Sequence, residues 1–278
     1  MKDSIQLLDL QRVLVIGHRG YRDLMPENTL PSFEAALRAG VDLVELDYHH
    51  SRDGVPMVIH DAHLDRTTDA ARCWGQSETA SETAVAAKTA REIEELDAGS
   101  WFDPRFARTR VPRLRQVLEA ISPRAVPLIE RKSGDAATCL QLLRALDLSR
   151  RAIVQGFDWE FIRECQRLDP AVITGCLGPV KTRRGHSQKP ADADLNADHI
   201  DEIASTGARI VGWNDRVSRE AVAQAHCRGL KVWIYTINSL ESAHTLLEMG
   251  IDGLISDNPA LMWKALALHS GAAPRGQS

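Results

Sequence analysis

Two carboxylates share one face of a short apolar run, Asp42-Leu43-Val44-Glu45-Leu46-Asp47-Tyr48. Side chains alternate along a strand, so Leu43, Glu45 and Asp47 point one way while Val44, Leu46 and Tyr48 point the other. The same parity groups Leu14, Ile16 and His18 in the run 13–18, and Val126, Leu128 and Glu130 in the run 125–130. Three strands therefore each end in an ionisable residue on the face that carries their apolar partners. Carboxylates buried this close together raise one another's pKa unless a cation neutralises them. Three oxygen donors with positions left open suit one divalent cation, Mg²⁺ or Ca²⁺, with Mn²⁺ or Co²⁺ also compatible; zinc prefers His and Cys. His18 and His60 can move protons near neutral pH, and Arg19 with Lys132 can hold an anion. The ordinary alternative for Glu45 and Asp47 is a buried ion pair, but two acids at one strand end and a third on the next make a costly core.

Such residues need a scaffold that gathers strand ends. Eight short runs rich in β-branched residues, at 13–18, 42–48, 125–130, 151–155, 171–176, 208–212, 230–235 and 252–256, are separated by amphipathic segments at 31–39, 114–121, 136–146, 159–168, 218–228 and 239–248. This alternation predicts βαβ units, and eight of them predict an α/β chain folded as a single (β/α)8 TIM barrel over about residues 13–265. The shared face is then the lumen, and the site forms at the C-terminal strand ends. About seventy residues separate the second run from the third, against the roughly 2–6 usual in α/β connections, so a small insertion is expected after strand two, at about 61–110. Before it, 55–60 reads as a short extra strand that the Asp53-Gly54 turn folds back to bring His60 over the site. The stretch 69–90 reads as a loop plus a weak helix, 178–197 as a long loop with a solvated basic cluster, and 270–278 as a flexible tail.

The composition of the 278 residues, 44% hydrophobic and 26% charged, excludes a disordered or fibrous chain. A net charge of −4 leaves no global footprint for nucleic acid or an anionic membrane, so an anionic substrate must be attracted locally. No stretch approaches the ~20 apolar residues of a membrane span. The opening MKDSIQLLDLQRV has neither a signal-peptide core nor a transit-peptide pattern, and the expected location is cytoplasmic. Five scattered cysteines (Cys73, Cys139, Cys165, Cys176 and Cys227), odd in number and without a CxxC pair, argue against a disulfide framework or a structural zinc. The remaining histidines are read as structural, and nothing in the sequence speaks to oligomeric state.

The block GHRGYRDLMPENTLPSFEAALRAGVDLVELDYHHSRDGVPMVIHDAHLDRTT at 17–68 resembles the HRG, PENT, E-x-D and HD-x-x-x-x-RTT motifs of the glycerophosphodiester phosphodiesterase family. The resemblance continues through DAGSWFDPRFARTRVPRLRQVL at 97–118, IERK at 129–132, YTIN at 235–238 and GIDGLISDNP at 250–259, and so covers about 13 to 263. It implies a barrel with a small inserted region after strand two, metal ligation by Glu45, Asp47 and Glu130, acid and base roles for His18 and His60, and phosphate binding by Arg19 and Lys132. Glu27 and Asn28 of the PENT block would assist at the metal or substrate. Tyr235 stands where many members have tryptophan, and Gly156-Phe157 where many have Ser-Phe; Phe157 and Tyr235 are expected near the substrate's alcohol portion.

The activity implied is metal-dependent hydrolysis of a small-molecule glycerophosphodiester to sn-glycerol 3-phosphate and an alcohol. The alternative is a lysophospholipase D or phospholipid-lyase type of enzyme acting on a lipid-bearing substrate. A silent binding barrel would be favoured by loss of any of His18, His60, Glu45, Asp47 or Glu130, and all five are present.

Overall fold

Each of the eight β-branched runs forms a strand in the computed structural model, which describes residues 3–74, 82–180, 182–183, 186–187 and 193–271. The strands are β1 (Leu14–Gly17), β2 (Leu43–His50), β3 (Val126–Arg131), β4 (Ile153–Gly156), β5 (Ile173–Leu177), β6 (Ile210–Trp213), β7 (Lys231–Ile234) and β8 (Gly253–Ser256). Neighbours pair in parallel, and β8 returns to β1 from Leu14↔Gly253 to Gly17↔Ser256, closing a (β/α)8 barrel. The outer ring is α1 (Leu30–Arg38), α2 (Leu114–Ile121), α3 (Ala136–Ala145), α4 (Trp159–Leu168), α5 (Ala197–Ser205), α6 (Arg219–Cys227), α7 (Leu240–Met249) and α8 (Pro259–Gly271). None of the described helices is long and apolar enough to cross a membrane.

Two of these helices are not among the amphipathic segments expected from the sequence. The segment of α8, PALMWKALALHSG, is apolar on nearly every side and so lacks the polar face that marks a surface helix. The other, α5, is amphipathic but follows directly on the polar connection after β5, into which its start merges. That connection, expected to be irregular, carries a backbone strand pair, Thr182–Arg183 with His186–Ser187; the rest of the basic cluster lies outside the described residues, as do 272–278 of the expected tail.

Five helices of the outer ring start on a side-chain cap: Asp135, Asp158, Asn196, Ser218 and Ser239 each accept a hydrogen bond from a first-turn backbone N–H. Satisfying those donors locally fixes where each helix leaves the connection that follows a strand, on the end of the barrel where the ionisable residues lie.

The lumen is apolar at its base. Leu14, Ile16, Leu43, Val126, Leu128, Ile153, Ile173, Ile210, Trp233 and Ile255 form one buried cluster, closed from below by Leu7 and Leu8 of a short helix, Ser4–Leu8. Ser4 fastens that helix by donating from its N–H and its Oγ to the Arg150 carbonyl, at 2.8 and 2.9 Å. A second cluster fills the space between strands and helices. The excursion between β2 and α2 has a third: Met57, Ile59, Leu64, Ala70, Val85, Ala90, Ile93, Leu96, Ala98 and Val111. It begins with a strand, Pro56–Val58, antiparallel to β2; within 69–90 a short helix forms at Ala70–Trp74 and a 3₁₀ turn at Val85–Ala87, residues 75–81 lie outside the described residues, and a further short helix follows at Ala90–Glu94.

Because Leu7 seals an otherwise open barrel end, Leu7→Ala is expected to lower unfolding free energy by about 2 kcal/mol or more in urea titration. A loss below about 0.5 kcal/mol would mean that the short helix does not close the core.

Candidate active site

Above Leu128 and Ile16 the lumen changes character. The alternation that buries Leu43 places Glu45 and Asp47 inward, and the β2–β3 register sets Asp47 beside Glu130. One oxygen each from Glu45, Asp47 and Glu130 lies within 4.8 Å of the others. All three residues are buried, and Glu45 Oε1 has no hydrogen-bond partner.

The turn after β1 is built against this cluster. Arg19 sits at φ 51° and Gly20 at φ 91°, where a Cβ would collide with Ser32, so glycine is required for the chain to turn this tightly. The turn aims Arg19 N–H at Glu45 Oε2, 2.8 Å away, and puts Arg19 Nε 3.2 Å from Asp47 Oδ2. Asn28, also left-handed at φ 57°, holds Asp47 twice: its Nδ2 donates to Oδ2 at 2.8 Å, and its Oδ1 accepts from Asp47 N–H at 3.2 Å. Lys132 Nζ lies 3.1 Å from Asp47 Oδ1 and also contacts Glu130.

Burial is the largest influence on the three carboxyls and acts to raise each of them. At Glu45, Asp47 and Glu130 add to it, and the pKa lies well above the ordinary range. Burial and then Asp47 push Glu130 up to about 7, against Lys132. At Asp47 the opposing charges of Lys132, Arg19 and His60 outweigh burial, and this carboxyl stays below the usual range. Three acids thus face two cations. A divalent cation together with a singly charged phosphodiester would bring the cluster to neutrality, and the orphaned Glu45 oxygen is the hard donor such an ion takes.

Both histidines stand at the edge of the cluster, each held by a carboxylate. His18 Nδ1 is 2.6 Å from Asp257 Oδ1, and His60 Nδ1 is 2.6 Å from Asp61 Oδ1. An ionised carboxylate only accepts, so each ring donates from Nδ1 and keeps Nε2 as its free nitrogen. Burial lowers both imidazole pKa values; Asp257 opposes it at His18 and Asp47 opposes it at His60.

His18, Arg19, Glu45, His60, Glu130, Lys132, Phe157 and Tyr235 line one cavity of about 220 Å³, with Asp47 buried beneath them. Phe157, 40% exposed, meets Tyr235 edge to face at 6.2 Å, and Tyr235 Oη donates to the Gly178 carbonyl at 2.5 Å. All nine residues singled out from the sequence are therefore brought together. Glu27 is paired with Arg19, Arg22 and Arg66, at 2.8, 2.9 and 2.8 Å, and is not one of the three clustered acids. A larger cavity, about 580 Å³, lies beside Arg12, Asp42 and Trp263 at the opposite end of the barrel, but Arg12 is spent on Asp42 and no acid cluster faces it.

Asp61, Asp257, Asn238 and Gln155 also belong to the site and are not among the residues singled out from the sequence. Asp257 continues the parity of Gly253 and Ile255, a signal available in the sequence, and Asn238 Nδ2 steadies it at 2.8 Å. Gln155 lies across from Glu130 in register, buried, with Oε1 unpartnered. Asp61 is marked only by standing next to His60.

The model of the glycerophosphoryl diester phosphodiesterase family matches residues 18–261. The chain belongs to this family. A glycerophosphodiester phosphodiesterase of Caldanaerobacter subterraneus is 29% identical, over 89% of this chain and 95% of its own. Among solved structures, a glycerophosphodiester phosphodiesterase of Agrobacterium tumefaciens is 28% identical with a TM-score of 0.73, over 90% of this chain and 98% of its own. An Oleispira antarctica phosphodiesterase, solved with the product sn-glycerol-3-phosphate, has the same fold at 24% identity and a TM-score of 0.77, over 91% and 96% of the two chains. With the other members of its family, this phosphodiesterase is a phosphoric diester hydrolase.

In the metal-free enzyme, folded Glu45 retains a proton that the unfolded chain releases above the ordinary carboxyl pKa, so stability falls as pH rises from that value toward the raised one. Glu45→Gln removes this cost. With chelator present, its thermal midpoint should exceed that of the unmodified protein at pH 8 and show no such gain at pH 4. Added Mg²⁺ or Ca²⁺ should raise the unmodified midpoint and move the variant's far less. A variant no more stable at pH 8 would contradict this account of the cluster.

Proposed function

We propose that the enzyme hydrolyses glycerophosphodiesters to sn-glycerol 3-phosphate and an alcohol, with one divalent cation held by Glu45, Asp47 and Glu130. The observation that carries this reading is the buried three-carboxylate cluster flanked by two carboxylate-held imidazoles. When bound, the cation would act as a Lewis acid on the phosphate oxygens and offset charge that builds on them. Arg19 and Lys132, at the floor of the cavity, supply the fixed positive charge that orients the diester. His18 and His60 supply proton transfer from their Nε2 atoms: one takes the proton of the attacking water, and the other, protonated while the anionic diester is bound, gives one to the departing alkoxide. The water oxygen bonds to phosphorus as the bond to the alcohol oxygen breaks. Phe157 and Tyr235 form the wall for the alcohol portion. The product found with the Oleispira antarctica relative supports sn-glycerol 3-phosphate as the retained half.

One observation favours a second reading. Phe157 at the mouth and Leu24 in the loop after β1 are both exposed apolar side chains, as a lysophospholipase D or phospholipid-lyase type of enzyme acting on a lipid-bearing substrate would use.

Release of sn-glycerol 3-phosphate from glycerophosphocholine should require added Mg²⁺, Ca²⁺ or Mn²⁺ and stop with chelator. His18→Ala and His60→Ala should each lower the rate by about 10²- to 10⁴-fold. Cation-independent release, or full activity in either variant, would sink the proposal. Turnover of lysophosphatidylcholine alone, followed by phosphorus NMR, would favour the second reading.

A further inference from the structure

His60 differs from the other residues of the cavity in its origin. It does not project from a barrel strand but follows the short strand Pro56–Val58, on the excursion that packs around its own small core. Its backbone is tied to the barrel twice: Ile59 N–H donates to the Asp47 carbonyl at 3.1 Å, and His49 Nε2 lies 3.0 Å from the His60 carbonyl. Neither contact sets the direction of the imidazole, which depends on Asp61.

Asp61 is in turn oriented by Arg66. The Nε of Arg66 donates to Asp61 Oδ2 at 2.5 Å and one terminal nitrogen to Oδ1 at 3.0 Å. That terminal nitrogen, Nη2, is shared with Glu27: it donates to Oε1 at 2.8 Å while Nη1 donates to Oε2 at 3.1 Å, so adjacent edges of the guanidinium grip the two carboxylates. Glu27 is buried in the loop after β1 and accepts from Arg19 at 2.8 Å. One planar fork therefore spans two carboxylates, one on the excursion and one on the barrel, in a chain that runs His60, Asp61, Arg66, Glu27, Arg19.

We infer that Arg66 is a positioning residue for His60, locking the imidazole's orientation and tautomer to the barrel loop that carries Arg19. The inference rests on the catalytic role proposed for His60. A guanidinium can span two carboxylates with its two edges, whereas an ammonium is a point charge that satisfies one geometry at a time. Removing Arg66 leaves Glu27 paired with Arg19 and Arg22 and leaves both backbone ties in place, so the fold should survive.

The test compares Arg66→Met, Arg66→Lys and His60→Ala in the full chain with Mg²⁺ and glycerophosphocholine. Arg66→Met should lower kcat by about 10- to 100-fold while KM moves by less than about threefold, and Arg66→Lys should recover part of the loss. Imidazole ¹H–¹⁵N NMR should show the His60 proton on Nδ1 in the unmodified protein and a mixture of tautomers in Arg66→Met, with the His18 signals and the thermal midpoint unmoved. The inference is overturned if Arg66→Met keeps its kcat and its His60 signals while His60→Ala is inactive, or if kcat falls only as the thermal midpoint falls and the His60 signals stay put. An active His60→Ala would instead remove the catalytic role of His60, and the inference with it.

Discussion

Three carboxylates at the top of an apolar barrel are the constraint from which the rest of the site follows. Glu45, Asp47 and Glu130 are buried close together, and isolated charges in such a place are strongly disfavoured. Arg19 and Lys132 compensate part of that charge, chiefly at Asp47. Asn28 adds two hydrogen bonds that fix the Asp47 carboxylate without further charge. Two cations do not balance three ionised acids, so the cluster is one that could hold a cation and not a finished ion-pair network. Hydrophobic burial below, sealed by Leu7 and Leu8, supports strand ends that electrostatics alone would push apart.

Polar satisfaction extends outward from that cluster in layers. Glu27, which composition alone would make one more buried acid, is saturated by Arg19, Arg22 and Arg66 and serves as an anchor for cations. Asp257 and Asp61 do for the imidazoles what Asn28 does for Asp47, holding one atom so that another is presented. The excursion after β2 contributes His60 from outside the barrel, and its small core around Ile59, Leu64 and Ile93 gives that contribution a rigid base. A site assembled partly on strands and partly on an independent core needs a link between them, and Arg66 spans the gap.

Much of this architecture is legible in the sequence for a simple reason. Alternation along a strand and the closure of eight βα units are local rules, so Leu43, Glu45 and Asp47 share a face whatever surrounds them. The acid triad, the strand-end position of His18, the excursion after β2 and most helices follow from such rules. Where local signals are weak the reading stops: α8 is apolar on nearly all sides, and α5 runs straight on from a polar connection whose lack of periodicity hides its start.

By itself, then, the sequence determined which side chains enter the lumen and which residue types could hold a cation or move a proton. Only the tertiary structure decided how those groups divide the work. Glu27 becomes an anchor because three arginines from separate segments converge on it, and His60 presents Nε2 because Asp61 and Arg66 hold its other side. The physical reason is range: periodicity reports which way a side chain points, whereas hydrogen-bond pairing and charge balance depend on residues that folding alone brings within 3 Å of one another.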